Sequence, residues 1–274
     1  MQRQGGKAWW SKASPEASSI AEVVDPEIDA LSPEDRATIA AIWQKRGGLE
    51  LRVAAGFSAL GLELFEHGAD PAVYEIVGQA VRDEIHHAEI SVELAARYRG
   101  DEVRWPEPEP THVPPFSPAK GQMHATLYVI AMCCINETVA CGVLEAALAQ
   151  ARSPLAHAAL NTILTDEIDH ARAGWAHLAS RWVSPQMKSA LPEWLRHLHA
   201  AKLHELVSED GPLPGEAFPT HGLLSRARSR AVVWNTLDGV IFPGFRRAGI
   251  DTSLVEGWAC DAFGKPAALA GPRP

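Results

Sequence analysis

Apolar residues recur at alternating steps of three and four along four long stretches of this chain, the period of a helix that buries one face. The inward row of the second stretch reads Val73, Val77, Ala80, Glu84, His87, Ser91, Leu94, and that of the fourth Ala156, Leu160, Ile163, Glu167, His170, Gly174, His177. The first and third rows read Glu50, Ala54, Phe57, Gly61, Leu64 and Ile130, Cys134, Glu137, Cys141, Leu144, Leu148. Capping and breaking residues set the boundaries. Ser32-Pro33 opens a helix that should run to about Arg46 and break at Gly47-Gly48; the first long helix then reaches about His67. The second spans Pro71 to Arg99, the third about Met123 to Ala151, and the fourth about Leu155 to Trp182. Further helices are expected from Pro185 to about Ser208, from about Leu223 to Leu237, and from Ser253 to Phe263. The fold class is all-α.

Each row carries charge where a buried stripe should be apolar. Asp83-Glu84-Ile85-His86-His87 and Asp166-Glu167-Ile168-Asp169-His170 both place a carboxylate and an imidazole three residues apart, one turn up the same face, where both can bind one cation. An ionised carboxylate facing a core costs several kcal/mol unless something positive meets it, and neither motif has a Lys or Arg on its own row. Two motifs imply two metals, and two more inward acids. Around the turn at Ser153, Glu167 lies fourteen positions after and Glu137 sixteen before, on the antiparallel neighbour. Around Gly68-Ala69-Asp70-Pro71, Glu84 asks for an acid near residue 53, and Glu50 meets that better than Glu63 or Glu66. The candidate metal ligands are Glu50, Glu84, His87, Glu137, Glu167 and His170. Ala54, Phe57, Cys141 and Leu144, on the same rows, are candidate pocket residues. His86 reads as a surface or interface histidine, His177 as a buried hydrogen-bonded one, and Glu145 as a rim acid.

The connector from Asp101 to Gly121 has twenty-one residues and no helical period. Extended, it covers up to about 65 Å, more than the second helix's length of about 42 Å, so the third helix can start beside the start of the second and run parallel to it. Residues 1–30, with Trp9-Trp10, read as a flexible arm, 31–265 as one helical domain with its bundle core at about 48–182 and extra helices at about 185–263, and 266–274 as a tail. The two Glu-to-Asp-Glu-Ile-x-His halves read as an internal duplication.

One Glu from each of two helices plus Glu-x-x-His from each of the other two resembles the ferritin-like diiron-carboxylate superfamily, over roughly residues 48–180. The resemblance implies a ferritin-like four-helix bundle with a long crossover between helices two and three, two iron ions, and dioxygen as co-substrate. Manganese or a mixed manganese-iron pair suits the same ligands. Asp83 and Asp166 precede the Glu ligands as in the Asp-Glu-x-Arg-His signature of bacterial diiron monooxygenases. By that resemblance each Asp accepts a hydrogen bond from the free ring nitrogen of the opposite motif's histidine. His86 and Asp169 stand where the signature has Arg. Ser91 replaces the tyrosine of the radical-generating ribonucleotide reductase subunit, Cys-x-x-Cys pairs of rubrerythrin are absent, and Ile163 stands where some arylamine N-oxygenases carry an extra histidine.

The implied function is an oxidase or monooxygenase acting on a small organic substrate, with a separate electron donor. Two alternatives share the scaffold: a ferroxidase or peroxide-scavenging iron-handling protein, and a non-catalytic ferritin-like binding module. Hydrophobic residues make up 46% of the 274 positions and the net charge is −9, which gives no electrostatic reason to bind nucleic acid or an anionic membrane. Four cysteines without a Cys-x-x-Cys pair form no disulfide framework, and no signal-like apolar run opens the chain, so a cytoplasmic location is expected. A homodimer partner is compatible with the extra helices, and Arg226, Arg228 and Arg230 read as a solvated face.

Overall fold

The computed structural model describes residues 19–20, 22–107, 116–207 and 218–263. Among them all regular structure is helical, apart from an isolated antiparallel bridge between Phe218 and Leu223. Four long helices dominate: α1 (Pro33–His67), α2 (Pro71–Arg99), α3 (Gln122–Leu148) and α4 (Pro154–Ala179). Three of them start in the same way, with a capping oxygen followed by proline. Ser32 accepts from Asp35 N, Asp70 from Ala72 N and Ser153 from Ala156 N, each at 3.1 Å. α2 stops where Gly100 takes a φ of 78°.

Hydrogen bonds between helix ends give the directions. Arg36 Nε at the start of α1 donates to Tyr98 O at the end of α2 (3.0 Å), and Gln122 Nε2 at the start of α3 donates to Gly68 O beside the start of α2 (3.1 Å). The Tyr98 hydroxyl lies 3.3 Å from Ser153 Oγ at the start of α4, and Thr126 Oγ1 near the start of α3 lies 3.2 Å from His177 Nε2 near the end of α4. α2 and α3 therefore run one way, α1 and α4 the other.

The chain departs from the sequence expectation in four places. The break at Gly47-Gly48 does not occur, and α1 is one helix of 35 residues. A Cβ on Gly47 would lie 3.2 Å from Val92 Cγ2 and 3.3 Å from the Ala88 carbonyl, so its missing side chain lets α1 and α2 touch. That packing outweighs the glycines' weak helix preference, about 1 kcal/mol each. Second, the middle of α3, Ile130–Glu137, is wound as a π-helix between two α-helical arms. Third, Pro192 divides the helix expected from Pro185 into Pro185–Ala190 and α5 (Pro192–Val207), because proline supplies no N–H to continue the first. Fourth, α6 (Arg226–Thr236) starts at its Ser225 cap and passes through a second π segment, Leu237–Ile241, into Phe242–Arg247. The last helix, α7 (Ser253–Phe263), packs on α5, which also touches the π segment of α3.

The core is divided in two. One apolar cluster holds Phe57, Leu60, Val77, Ala80, Ile130, Val139 and Ala173; the other holds Trp43, Ile90, Leu94, Leu144, Leu160 and Ile163. On α1, α2 and α4 the gap between clusters falls at the charged positions of the row, and on α3 it falls just beyond Glu137, between Val139 and Leu144. Part of the segment expected as an arm joins the second cluster through Ile20 and Ile28, and Asp25 accepts hydrogen bonds from Leu155 N (3.1 Å) and from Ser153 Oγ at the start of α4. Trp9, Trp10 and the loop at Gly211–Gly215 lie outside the described residues. Gln122–Leu148 is long and apolar enough to cross a membrane by length and composition, and 67% of its most apolar window is buried within the protein.

Candidate metal centre

The layer between the two apolar clusters is made of the six candidate ligands. Glu50, Glu84, His87, Glu137, Glu167 and His170 are all buried, Glu84 and His87 completely. Three local arrangements deliver them. Glu84 with His87, and Glu167 with His170, sit one turn apart on straight helices. Glu137 is the last residue of the π segment, and an extra residue per turn there re-aims the side chains that follow. Glu50 lies in the uninterrupted middle of α1.

Donor atoms of Glu84, Glu137, Glu167 and His170 lie within 4.8 Å of one another, a separation one cation can span. Glu84 and Glu167 each reach both imidazoles. From His87 Nδ1 the Glu84 and Glu167 carboxylates lie 3.4 and 3.7 Å away, and from His170 Nδ1 3.1 and 3.2 Å. Both histidines turn Nδ1 toward this centre and Nε2 away from it. Nε2 of His87 lies 3.1 Å from Asp166, and Nε2 of His170 lies 3.4 Å from Asp83. Each ring is thus held by the aspartate of the other motif. A ring that donates from Nε2 keeps its Nδ1 lone pair for a metal.

Charge is arranged to match. Burial disfavours the Glu167 carboxylate, yet the bond from His170 and the charge of His87 hold its pKa down to about 2. Burial, with the charges of Glu167 and Glu84 and the approach of the Glu167 carboxyl, pushes Glu137 well above the usual range. Burial opposes the charge of His87 as well, but Asp166, bonded to its Nε2, and the nearby Glu84 and Glu167 carboxylates raise its pKa to about 10; His170 is raised in the same way by Asp83, Glu167 and Glu84. Histidine charge leaves the cluster incompletely satisfied. Both oxygens of Glu84 and Nδ1 of His87 are buried without an aligned hydrogen-bond partner. A carboxylate and an imidazole nitrogen left so would cost on the order of 1–3 kcal/mol each, and a divalent cation between them meets all three atoms. Carboxylate oxygen and imidazole nitrogen are both donors that divalent cations accept.

Glu50 is placed differently from the other five. Like His87 it lies outside the group of four converging donors, and Arg46 Nε donates to its Oε1 at 2.7 Å. Burial raises its pKa, Arg46 works against that, and it senses the charges of Glu84, His87 and Glu167. Sequence reasoning missed Arg46, although its spacing of four residues before Glu50 on one helix was a readable signal.

The four candidate pocket residues separate. Phe57 packs on His170, with ring centroids 5.2 Å apart. Cys141 is half-buried beside the acids, and burial together with the charges of Glu167 and Glu137 pushes its thiol up to about 12. Ala54 is buried on α1, and Leu144 belongs to the second apolar cluster. His177 is buried against Thr126, while Glu145 is exposed. Comparison with family models, with curated proteins and with solved structures finds no match for this chain.

Proposed function

We propose that this chain is a ferritin-like diiron-carboxylate protein that acts as an oxidase or monooxygenase on a small organic substrate. The observation that carries the reading is the buried layer itself: six carboxylate and imidazole side chains on four helices, with Glu84 and His87 Nδ1 lacking an aligned hydrogen-bond partner inside it. The helix directions, α2 parallel to α3 and both antiparallel to α1 and α4, support the ferritin-like topology.

Glu84 and Glu167, which reach both imidazoles, would be shared by a metal pair, with Glu50 and His87 completing one end and Glu137 and His170 the other. When bound, such a pair supplies the electrons that reduce dioxygen and makes it reactive toward an organic C–H or N–H bond. Insertion of one oxygen atom into the substrate, with the other leaving as water, consumes two electrons and two protons from a separate donor. The protein's part is to hold the ligands and their tautomers. Asp83 and Asp166 fix the histidine rings, and the apolar clusters on either side keep bulk water from the layer. Glu137, whose pKa burial raises, would bind a metal as the carboxylate and so release any proton it holds.

Elemental analysis after expression with added iron tests the centre. Wild type should hold about two irons per chain and the Glu84→Ala, Glu167→Ala double variant about none; no stoichiometric metal in wild type would end the reading. Reduced, iron-loaded protein should then consume dioxygen at least about tenfold faster than a Glu137→Ala variant. Equal rates would remove the enzymatic function while leaving the metal site. Uptake of labelled dioxygen into an organic product separates an oxygenase from an iron-handling oxidase, which returns the label only as peroxide or water.

A further inference from the structure

The two ends of the cluster repeat the same ligand types but not the same neighbours. One turn before Glu137 stands Cys133, a fully buried thiol that brings no positive charge. One turn before Glu50 stands Arg46, whose guanidinium is charged at every working pH. Arg46 is fixed from two directions. Its Nε donates to Glu50 Oε1 at 2.7 Å, and its Cζ lies 5.4 Å from the ring centroid of Trp43, which is fully buried.

We propose that Arg46 makes the two metal positions unequal, so that the position at Glu137 and His170 fills first and the position at Glu50 and His87 fills second and more weakly. The inference rests on the two-metal reading above. At the first position the donors of Glu84, Glu137, Glu167 and His170 already lie within 4.8 Å of one another. At the second position a cation meets a carboxylate that is already neutralised. It must take the oxygen that Arg46 leaves free or separate the pair, and it approaches a fixed positive charge in either case. Removing one partner of a partly buried pair also strands the other, which raises the cost of full Glu50 ligation. Arg46 is a positioning residue, since it acts through Glu50.

Calorimetric titration of the metal-free, full-length protein with cobalt(II), which binds oxygen and imidazole donors without reacting, reads the inequality directly. Wild type should show two classes of site whose dissociation constants differ by about tenfold or more. Arg46→Met, which keeps the apolar stem, should bring the second class to within about threefold of the first and leave the first unchanged, whereas Arg46→Lys should keep the wild-type gap. Two equal classes in wild type, or an unchanged gap in Arg46→Met, would overturn the proposal while leaving the two-metal reading intact. No cobalt bound to any form would overturn both. A second measurement needs no variant: crystals of wild type grown with one equivalent of cobalt should show anomalous scattering beside Glu137 and His170, and scattering beside Glu50 and His87, or divided evenly, would refute the order.

Discussion

The half of the molecule built from α1 and α2 and the half built from α3 and α4 carry the same ligands and hold them by different means. α1 runs straight through Glu50, is drawn against α2 at Gly47, and pairs its ligand with Arg46. α3 unwinds into a π segment that ends on Glu137, and α4 approaches that segment at Gly174, where a Cβ would lie 2.6 Å from Cys134 Sγ and 2.8 Å from Cys134 N. Seven residues beyond the ligand histidine, α2 has apolar Leu94 while α4 has buried His177. Duplication of a binding motif does not duplicate its support. The ligands are specified by helix spacing alone, whereas each half aims its lone glutamate with whatever packing it has.

That contrast can be broken most severely in α3. Deleting Ala131, inside the π segment, should let the helix rewind as α and turn Glu137 by about 100° relative to the first turns. Metal content should fall from about two to about one per chain, and the melting temperature should drop. Retention of full metal content and wild-type melting would mean that the π segment does not aim the ligand. The equivalent deletion has no counterpart in α1, which has no extra residue to lose.

The two glycines sharpen the comparison at a smaller scale. Gly174→Ala must displace a backbone atom and should cost about 1–3 kcal/mol in chemical denaturation. At Gly47 the nearest atoms stand at 3.2 and 3.3 Å, and alanine also favours the helix over glycine by about 1 kcal/mol, so Gly47→Ala should be nearly neutral. Equal costs at the two positions would show that the halves are packed alike after all.

The smallest effect expected is one of pH. Burial depresses the pKa of His177 to about 4, below its ordinary value of 6.5, so the fold uses the neutral ring. Its contribution to stability is complete above about pH 6.5 and is lost as pH falls toward 4, because the unfolded chain takes up the proton first. His177→Gln should therefore flatten the fall in melting temperature between about pH 6.5 and 4.5 by about 3 °C. His199, buried beside Phe242 and also depressed to about 4, keeps the remaining slope. An identical slope in the variant would show that His177 does not stay neutral in the folded protein.

How far these features could be read in advance depends on the range of the force that sets them. The start of α1, α2 and α4 and the end of α2 were legible because a capping oxygen, a proline and a left-handed glycine act within one turn. The partnership of Glu84 with His87 and Glu167 with His170 was legible because a spacing of three on a helix admits one geometry. Glu50 and Glu137 were legible as acids on buried rows, and their unequal placement was not. The continuity of α1 was hidden because a glycine pair weakens a helix locally, and only the surface of α2 at Ala88 and Val92 reverses that preference. No local residue announces the π segment in Ile130–Glu137, whose residues suit an ordinary α-helix equally well.

The sequence by itself determined that the chain is all-helical, where most helices begin, and which six side chains turn inward, since these follow from periodicity and capping that operate over a few residues. Only the tertiary structure decided that the two halves differ. The winding of α3 and the closeness of α1 to α2 arise from contacts between surfaces distant in sequence. Such contacts sum many small packing energies over whole helices, and their balance is not written at any one residue.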